Sequence, residues 1–301
     1  MIVVFGTICL DRIRRVPHLP EPGACVETDE EVVSLGGEAA NTAACLMRLG
    51  ARVRLFGNPT GEDEDGSLLR DALLRAGLPT PGTAGGYETP VCDIMVAPDG
   101  ERAMVGHGFS TIEGSHVRLP ELDGGDWFTA DPNLQASARR AAASAQERGL
   151  RTYLMDFIRD EDRALLDGCD VWQSSTDWAG KRGDWELNLD LCRAHARRHD
   201  CLTILTDGPA GLVVCEPGTE PRRLPAFRCE QVVDTTGAGD AFRGGMLFGL
   251  DRGLPLSDSL RLAACVGCLS CRKMGAVSAL PTLQEALEFI AAHPEVAAAY
   301  V

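Results

Sequence analysis

Short apolar runs alternate with segments of helical period along most of the 301-residue chain, and no other feature narrows its fold as much. Residues 2–6 (IVVFG), 53–57 (VRLFG), 126–131, 151–156, 169–173 and 201–206 read as buried strands. Between them, 38–49, 65–76, 136–148, 161–167 and 186–199 read as helices. In the 65–76 segment, Leu68, Leu69, Ala72, Leu73 and Ala76 recur at helical spacing. Gly50 and Gly77 supply stop signals. Such a series builds a mostly parallel sheet with helices on its faces. Residues 211–215 and 222–228 suggest a further strand pair. Helices are expected over 240–252, 257–274 and 282–293.

Two stretches interrupt the alternation. Residues 24–34 alternate like an exposed strand, and 87–108 read as two strands around a Pro98-Asp99-Gly100 turn. They predict a separate small sheet. The chain carries 29 basic and 44 acidic residues, a net charge of −15. Such a surface repels nucleic acid and anionic membrane, whose attraction to proteins rests on Lys and Arg contacts to phosphate. No run of 18 apolar residues exists to span a bilayer. The N-terminal apolar run is short, lacks a basic leader and reads as a first strand, not a signal peptide. A cytoplasmic protein with reduced thiols is the expectation. Cys265, Cys268 and Cys271 form a C-x-x-C-x-x-C run, but the fourth ligand and following Pro of a ferredoxin-type site are missing. The run lies in an Ala/Leu helix, so core packing is the favoured reading.

The chemistry-bearing stretch is 231–253, QVVDTTGAGDAFRGGMLFGLDRG. Strand-like residues end at Asp234, a turn of small residues follows, and Asp240 opens an apolar helix. Successive backbone N–H groups at a helix N-terminus lack intrahelical partners and sit in positive potential, so they form an anion pocket. A carboxylate beside such a pocket repels phosphate unless it has a task. Asp240 is either a helix cap or the base of a phosphoryl transfer; spacing alone leaves both open. No P-loop, protein-kinase motif set or dinucleotide fingerprint is present.

DTTGAGDAF closely resembles the C-terminal signature of the PfkB/ribokinase family of carbohydrate kinases. SLGGEAANTAACLMRLGARVRLFGNPTGEDEDG, residues 34–66, resembles its N-terminal signature. The likeness extends over nearly the whole chain. It implies a ribokinase-like three-layer α/β/α sandwich, one kinase domain over 1–301, with lid segments near 12–35 and 86–110. It implies Asp240 as catalytic base and Gly237, Ala238 and Gly239 as an anion hole. Asp11, Gly36, Gly37 and Asn41 would bind the acceptor's hydroxyls. Thr206, Gly208, Gly211, Thr235, Gly237, Gly239 and Cys268 would bind ATP. Mg²⁺ is implied, and in some members a monovalent cation held by backbone groups at positions matching Asp234 and Thr236. The exposed edges of a lid sheet make a homodimer an expectation.

Three departures bear on this resemblance. The family's N-x-x-E stretch reads Ser174-Ser175-Thr176-Asp177, which leaves Asp177 to hold Mg²⁺ through water. The family's strand-end Asn is absent from Asp156-Phe157-Ile158-Arg159, and Cys9 stands where a first-strand Asn is common. The acceptor is expected to be a sugar or sugar-derived acid. A nucleoside is the alternative within the fold, although only Tyr87 and Phe109 offer aromatic rings in or next to the hairpin. A non-catalytic sensor on the same fold is the alternative outside enzymes; it has no use for the base in GAGD.

Overall fold

The computed structural model describes residues 1–98, 100, 102–112 and 116–301. The chain begins with β1 (Ile2–Gly6), β2 (Cys9–Arg15), β3 (Glu30–Gly36), α1 (Glu38–Leu49), β4 (Val53–Gly57) and α2 (Glu64–Arg75). A hairpin, β5 (Val91–Val96) and β6 (Arg102–His107), precedes β7 (Trp127–Ala130), α3 (Gln135–Glu147), β8 (Arg151–Met155) and the short α4 (Arg163–Leu166). Then come β9 (Val171–Ser175), α5 (Trp185–His199), β10 (Leu202–Thr206), β11 (Leu212–Cys215) and β12 (Arg222–Leu224). The chain closes with α6 (Ala238–Asp251), α7 (Leu256–Ser270), α8 (Leu283–Ala292) and α9 (Pro294–Ala297).

An eight-stranded sheet runs β12-β11-β10-β9-β8-β7-β1-β4. The six strands from β10 to β4 are parallel, and β11 is antiparallel to both its neighbours. Every residue of β1 is buried, as expected for a parallel strand covered on both faces. Ile2 and Val4 pack toward α1, α6 and α7; Val3 and Phe5 pack toward α3. The α3 face is built from Ala138, Ala141, Ala142 and Ala145, which lets the helix lie close to the sheet. No helix among the described residues is long and apolar enough to cross a membrane.

The second sheet has four strands, β3-β2-β5-β6. Its inner face buries Ile13, Ile94 and Val96 with Met274, while Met104 and Val105 on β6 are more than half exposed. The sequence reading missed β2. CLDRIRR carries three arginines and an aspartate, and charge density of that kind reads as loop. Tertiary partners make it a strand: Arg12 pairs with Asp65, and Arg14 with Glu31 and Asp93. The strand expected over 24–34 begins only at Glu30, its register set by pairing with β2. The hairpin is present, but Asp99 of its expected turn lies outside the described residues.

Three further boundaries moved. The helix expected to 274 ends at Ser270, and the strand-like approach to Asp234 belongs to neither sheet. One contact accounts for both: the Cys271 carbonyl accepts from Val233 N (2.8 Å) and Asp234 N (3.2 Å), so loop and helix end satisfy each other. The strand expected over 222–228 stops at Leu224.

α6 packs against α1 and α7 through glycines. A Cβ on Gly244 would lie 2.6 Å from Cys45 Sγ of α1, and one on Gly245 would lie 2.8 Å from Ala263 Cα of α7. Gly245→Val is expected to lower the unfolding free energy by about 1–3 kcal/mol, the usual range for overpacking. Urea denaturation would read it as a lower midpoint at unchanged slope; an unchanged midpoint contradicts the packing argument.

Candidate active site

The strand order turns back between β1 and β7, and in open α/β sheets ligands bind outside the carboxyl ends of the strands at such a point. There the Asp131 carboxylate accepts from Thr7 N (3.1 Å), Thr7 Oγ1 (3.1 Å) and Asn133 N (3.2 Å). Gly6 makes room for it: a Cβ would lie 1.9 Å from Asp131 Oδ2. Beyond β8, Asp156 sits at φ 59°, a left-handed conformation that Asp tolerates better than most residues, and accepts from Ser174 Oγ at 2.6 Å. Burial raises the Asp156 carboxyl to about 6, although Ser174 and Arg243 favour its anion.

Asp240 lies at the mouth of this crevice. It is the third residue of α6, not its cap; Gly237 takes the cap position at φ 75°. The helix-cap reading therefore fails, because the carboxylate points elsewhere. Its Oδ2 accepts from Asn41 Nδ2 at 2.9 Å, and its Oδ1 stands 3.5 Å from Arg243 Nη2. Asp240 is 6% exposed. Burial raises its carboxyl to about 7; Arg243 and Asn41 oppose the rise, while Asp131 and Asp156 add to it.

The small sheet brings Asp11 to the same place. Asp11 lies on β2, 3% exposed, and accepts from Cys9 Sγ at 3.4 Å. Burial raises its carboxyl to about 7; the charges of Asp234 and Asp240 push it the same way, and the Cys9 contact opposes. Gly36 lies directly beneath, where a Cβ would fall 2.0 Å from Asp11 Oδ1. Gly37, at φ 92°, caps α1 and lies against the Thr7 carbonyl. The fold thus gathers Asp11, Gly36, Asn41 and Asp240 from opposite ends of the chain.

The turn before α6 is braced from three sides. Asp234 accepts from Thr236 N (2.9 Å) and Gly275 N (2.8 Å). Thr235 Oγ1 accepts from Arg102 Nη1 at 2.7 Å, which ties β6 of the small sheet to the turn. Gln173 of β9 donates to the Gly239 carbonyl at 3.2 Å. In front of Gly239 the space is open: an added Cβ would meet nothing within 4 Å. No side chain among the described residues caps this helix end.

The remaining predicted residues are more scattered. Thr206 ends β10 and donates to the Ser174 carbonyl at 3.3 Å. Gly208 and Gly211 follow with φ 49° and 108°, and the Asp207 carboxylate between strand and turn accepts from Thr176 Oγ1 and Gly183 N. Cys268 is half-buried on α7, with its Sγ 2.6 Å from Cys229 Sγ. Cys265 donates to the Ala286 carbonyl and Cys271 to that of Gly267. Asp177 is half-exposed and accepts from Arg182 at 3.1 Å, turned to the surface.

Sequence reading missed Arg243, Glu38 and Asp131. Asp131 had a usable signal, since it directly follows a parallel strand. Arg243 had none: an arginine six residues into an apolar helix reads as a surface residue. It is wholly buried, donating to Thr42 Oγ1 (2.8 Å) and to the carbonyls of Glu38 (2.7 Å) and Ala130 (3.3 Å). Glu38 accepts from Asn133 through Oε1, while its Oε2 is buried without a partner among the described residues. Burial, then Asp131, Asp240 and Asp156, raise its carboxyl well above the usual range.

Comparison with known proteins identifies the family and the fold. The model of the pfkB family of carbohydrate kinases matches residues 1–283. A ribokinase of Haemophilus influenzae is 28% identical over 96% of this chain and 98% of its own. Among solved structures, the Cryptococcus neoformans ribokinase in complex with ADP superposes with a TM-score of 0.81 at 24% identity, over 95% of this chain and 98% of its own. The Arabidopsis thaliana ribokinase complexed with ribose and ATP superposes at 0.77 and 21%, over 96% and 97%. The match spans both signatures and nearly every element of the two sheets, so the chain belongs to the pfkB family and is a carbohydrate kinase.

Proposed function

We propose that this kinase transfers the γ-phosphoryl group of ATP to a hydroxyl of a neutral sugar, with Asp240 as the general base. One observation carries the reading. The Asp240 carboxylate, held by Asn41, lies near the Asp11 carboxylate and in the open N-terminal turn of α6. A sugar hydroxyl bonded to Asp240 would face a phosphate held by the N–H groups of Gly237, Ala238 and Gly239. Asp240 would take the hydroxyl proton as the oxygen attacks phosphorus and ADP leaves. Asp11 and Asn41 would bind neighbouring hydroxyls, the carboxylate accepting and the amide donating. The small sheet, tied down through Arg102 and Thr235, would exclude water from the transfer.

ATP as donor is supported by the Arabidopsis ribokinase, which carries ATP with ribose. Thr206, Gly208, Gly211 and Cys268 would line the nucleotide's side of the crevice. Mg²⁺ would neutralise phosphate charge; the half-exposed, Arg182-paired Asp177 fits it only through water. A neutral acceptor is favoured over a sugar acid because Asp11, Glu38, Asp131, Asp156 and Asp240 crowd the site, and only Glu38, Asp156 and Asp240 among these carboxylates have Arg243 beside them. A nucleoside is disfavoured: Tyr87 is buried, donating to the Ile112 carbonyl, and Phe109 packs into the core, so neither ring is free to stack on a base.

Asp240→Asn is expected to lower kcat by about 10²–10⁴, the usual contribution of a general base. Equal turnover by both proteins in an ADP-release assay would refute the assignment. The wild-type rate should rise with pH through about 7, where Asp240 becomes the ionised base; a rate already flat from pH 5 upward counts against it. Gly36→Ala pushes a methyl group into Asp11. It should raise the sugar's KM at least about tenfold, the scale of one displaced charged hydrogen bond, and leave the KM for ATP unchanged. An aldose should outperform its aldonic acid by at least about tenfold in kcat/KM, since like charges in contact cost several kcal/mol.

A further inference from the structure

Arg243 has no part in the reading above beyond its charge, yet it is a fully enclosed charged side chain beside the transfer site. It is 0% exposed. Its Nε donates to Thr42 Oγ1, Nη1 to the Ala130 carbonyl and Nη2 to the Glu38 carbonyl, with Nη2 also 3.5 Å from Asp240 Oδ1. One guanidinium thus touches α1, the end of β7 and the proposed base. Anchoring helices alone does not call for an arginine here, because a buried cation loses its hydration and is retained only when anions and acceptors replace it. The replacement is visible in the carboxylates around it.

We propose that Arg243 is a positioning residue for the transfer: its buried guanidinium fixes the Asp240 carboxylate toward the acceptor and keeps it anionic. The carboxylate is met at both oxygens, by a hydrogen bond from Asn41 at Oδ2 and by the Arg243 charge 3.5 Å from Oδ1. The groups facing Asp240 come from every element packed around it. Glu38 and Cys45 lie on α1, Asp131 after β7, Asp156 after β8 and Asp11 on β2; Arg243 lies on α6 itself. Cys45 is a neutral thiol, since burial raises it beyond the working range. Four of the other neighbours are acids that favour protonation of Asp240. Arg243 alone among these groups favours its ionisation through charge. Without it, the base would hold its proton to higher pH.

This inference rests on Asp240 being the base, and the experiment separates the two. The pH profile of kcat/KM for the sugar at saturating Mg-ATP would be measured for wild type, Asp240→Asn, Arg243→Met and Arg243→Gln. Thermal melts would check that each variant folds. The acid limb of Arg243→Met and Arg243→Gln should move up by about one pH unit. Near pH 6.5 this is about a tenfold loss, and near pH 9 the rate should recover to within about threefold of wild type. A uniform drop at every pH, with the limb unmoved, makes Arg243 merely structural and overturns the proposal. If neither neutral variant folds, Arg243→Lys decides. With the cation drawn back from Asp240 Oδ1 the limb must still move up, and a stationary limb overturns the proposal. An Asp240→Asn protein as active as wild type would instead overturn the base assignment itself.

Discussion

The contact between Arg243 and the elements around Asp240 is the one on which the site depends. Its fork reaches the first residue of α1 and the last of β7, so it fixes the amino end of the GGEAAN helix against the carboxyl edge of the sheet. Asn41 and Asp240 face each other because those two pieces are held in one geometry. Breaking one side of a buried ion pair usually costs about 3–5 kcal/mol, because the other charge is left without compensation. The site is therefore stiff at its base, while its other wall, the small sheet, attaches through fewer contacts such as Arg102 to Thr235.

A second constraint is the crowding of carboxylates at the switch point. Asp11, Glu38, Asp156 and Asp240 all have raised proton affinities, and burial is the first cause in each. Asp131 accepts three hydrogen bonds and Asp234 two, which fix their orientation. Carboxyls raised by burial, as the first four are, suit acid–base chemistry near neutral pH. On the proposed function, the same crowding would set a polarity for ligands, with anionic phosphate at the N–H groups of α6 and uncharged hydroxyls among the carboxylates.

The main sheet was legible because strands buried on both faces read as continuous apolar runs, and α1 and β4 fall where the sequence placed them. The small sheet was only half legible. β2 carries its charges on a strand whose neighbours neutralise them, and neither Asp65 nor Asp93 is near Arg12 or Arg14 in sequence. The approach to Asp234 failed as a strand for a similar reason, its N–H groups being taken by a helix end rather than a sheet. The Asp240 motif was readable as an anion turn, but whether the carboxylate capped the helix depended on Gly237 occupying the cap.

From sequence alone, the strand–helix alternation determined a parallel sheet with helices on both faces, and the two glycine-rich signatures determined the family. These are local properties, set by residue spacing and by backbone freedom at turns. Only the tertiary structure decided that Asp11 lies in a strand over Gly36, that Asp240 faces Asn41 rather than its own helix end, and that Arg243 is buried beneath it. Those facts depend on burial and on partners up to about two hundred residues away in the chain, since a charge's proton affinity and orientation follow from what surrounds it in space.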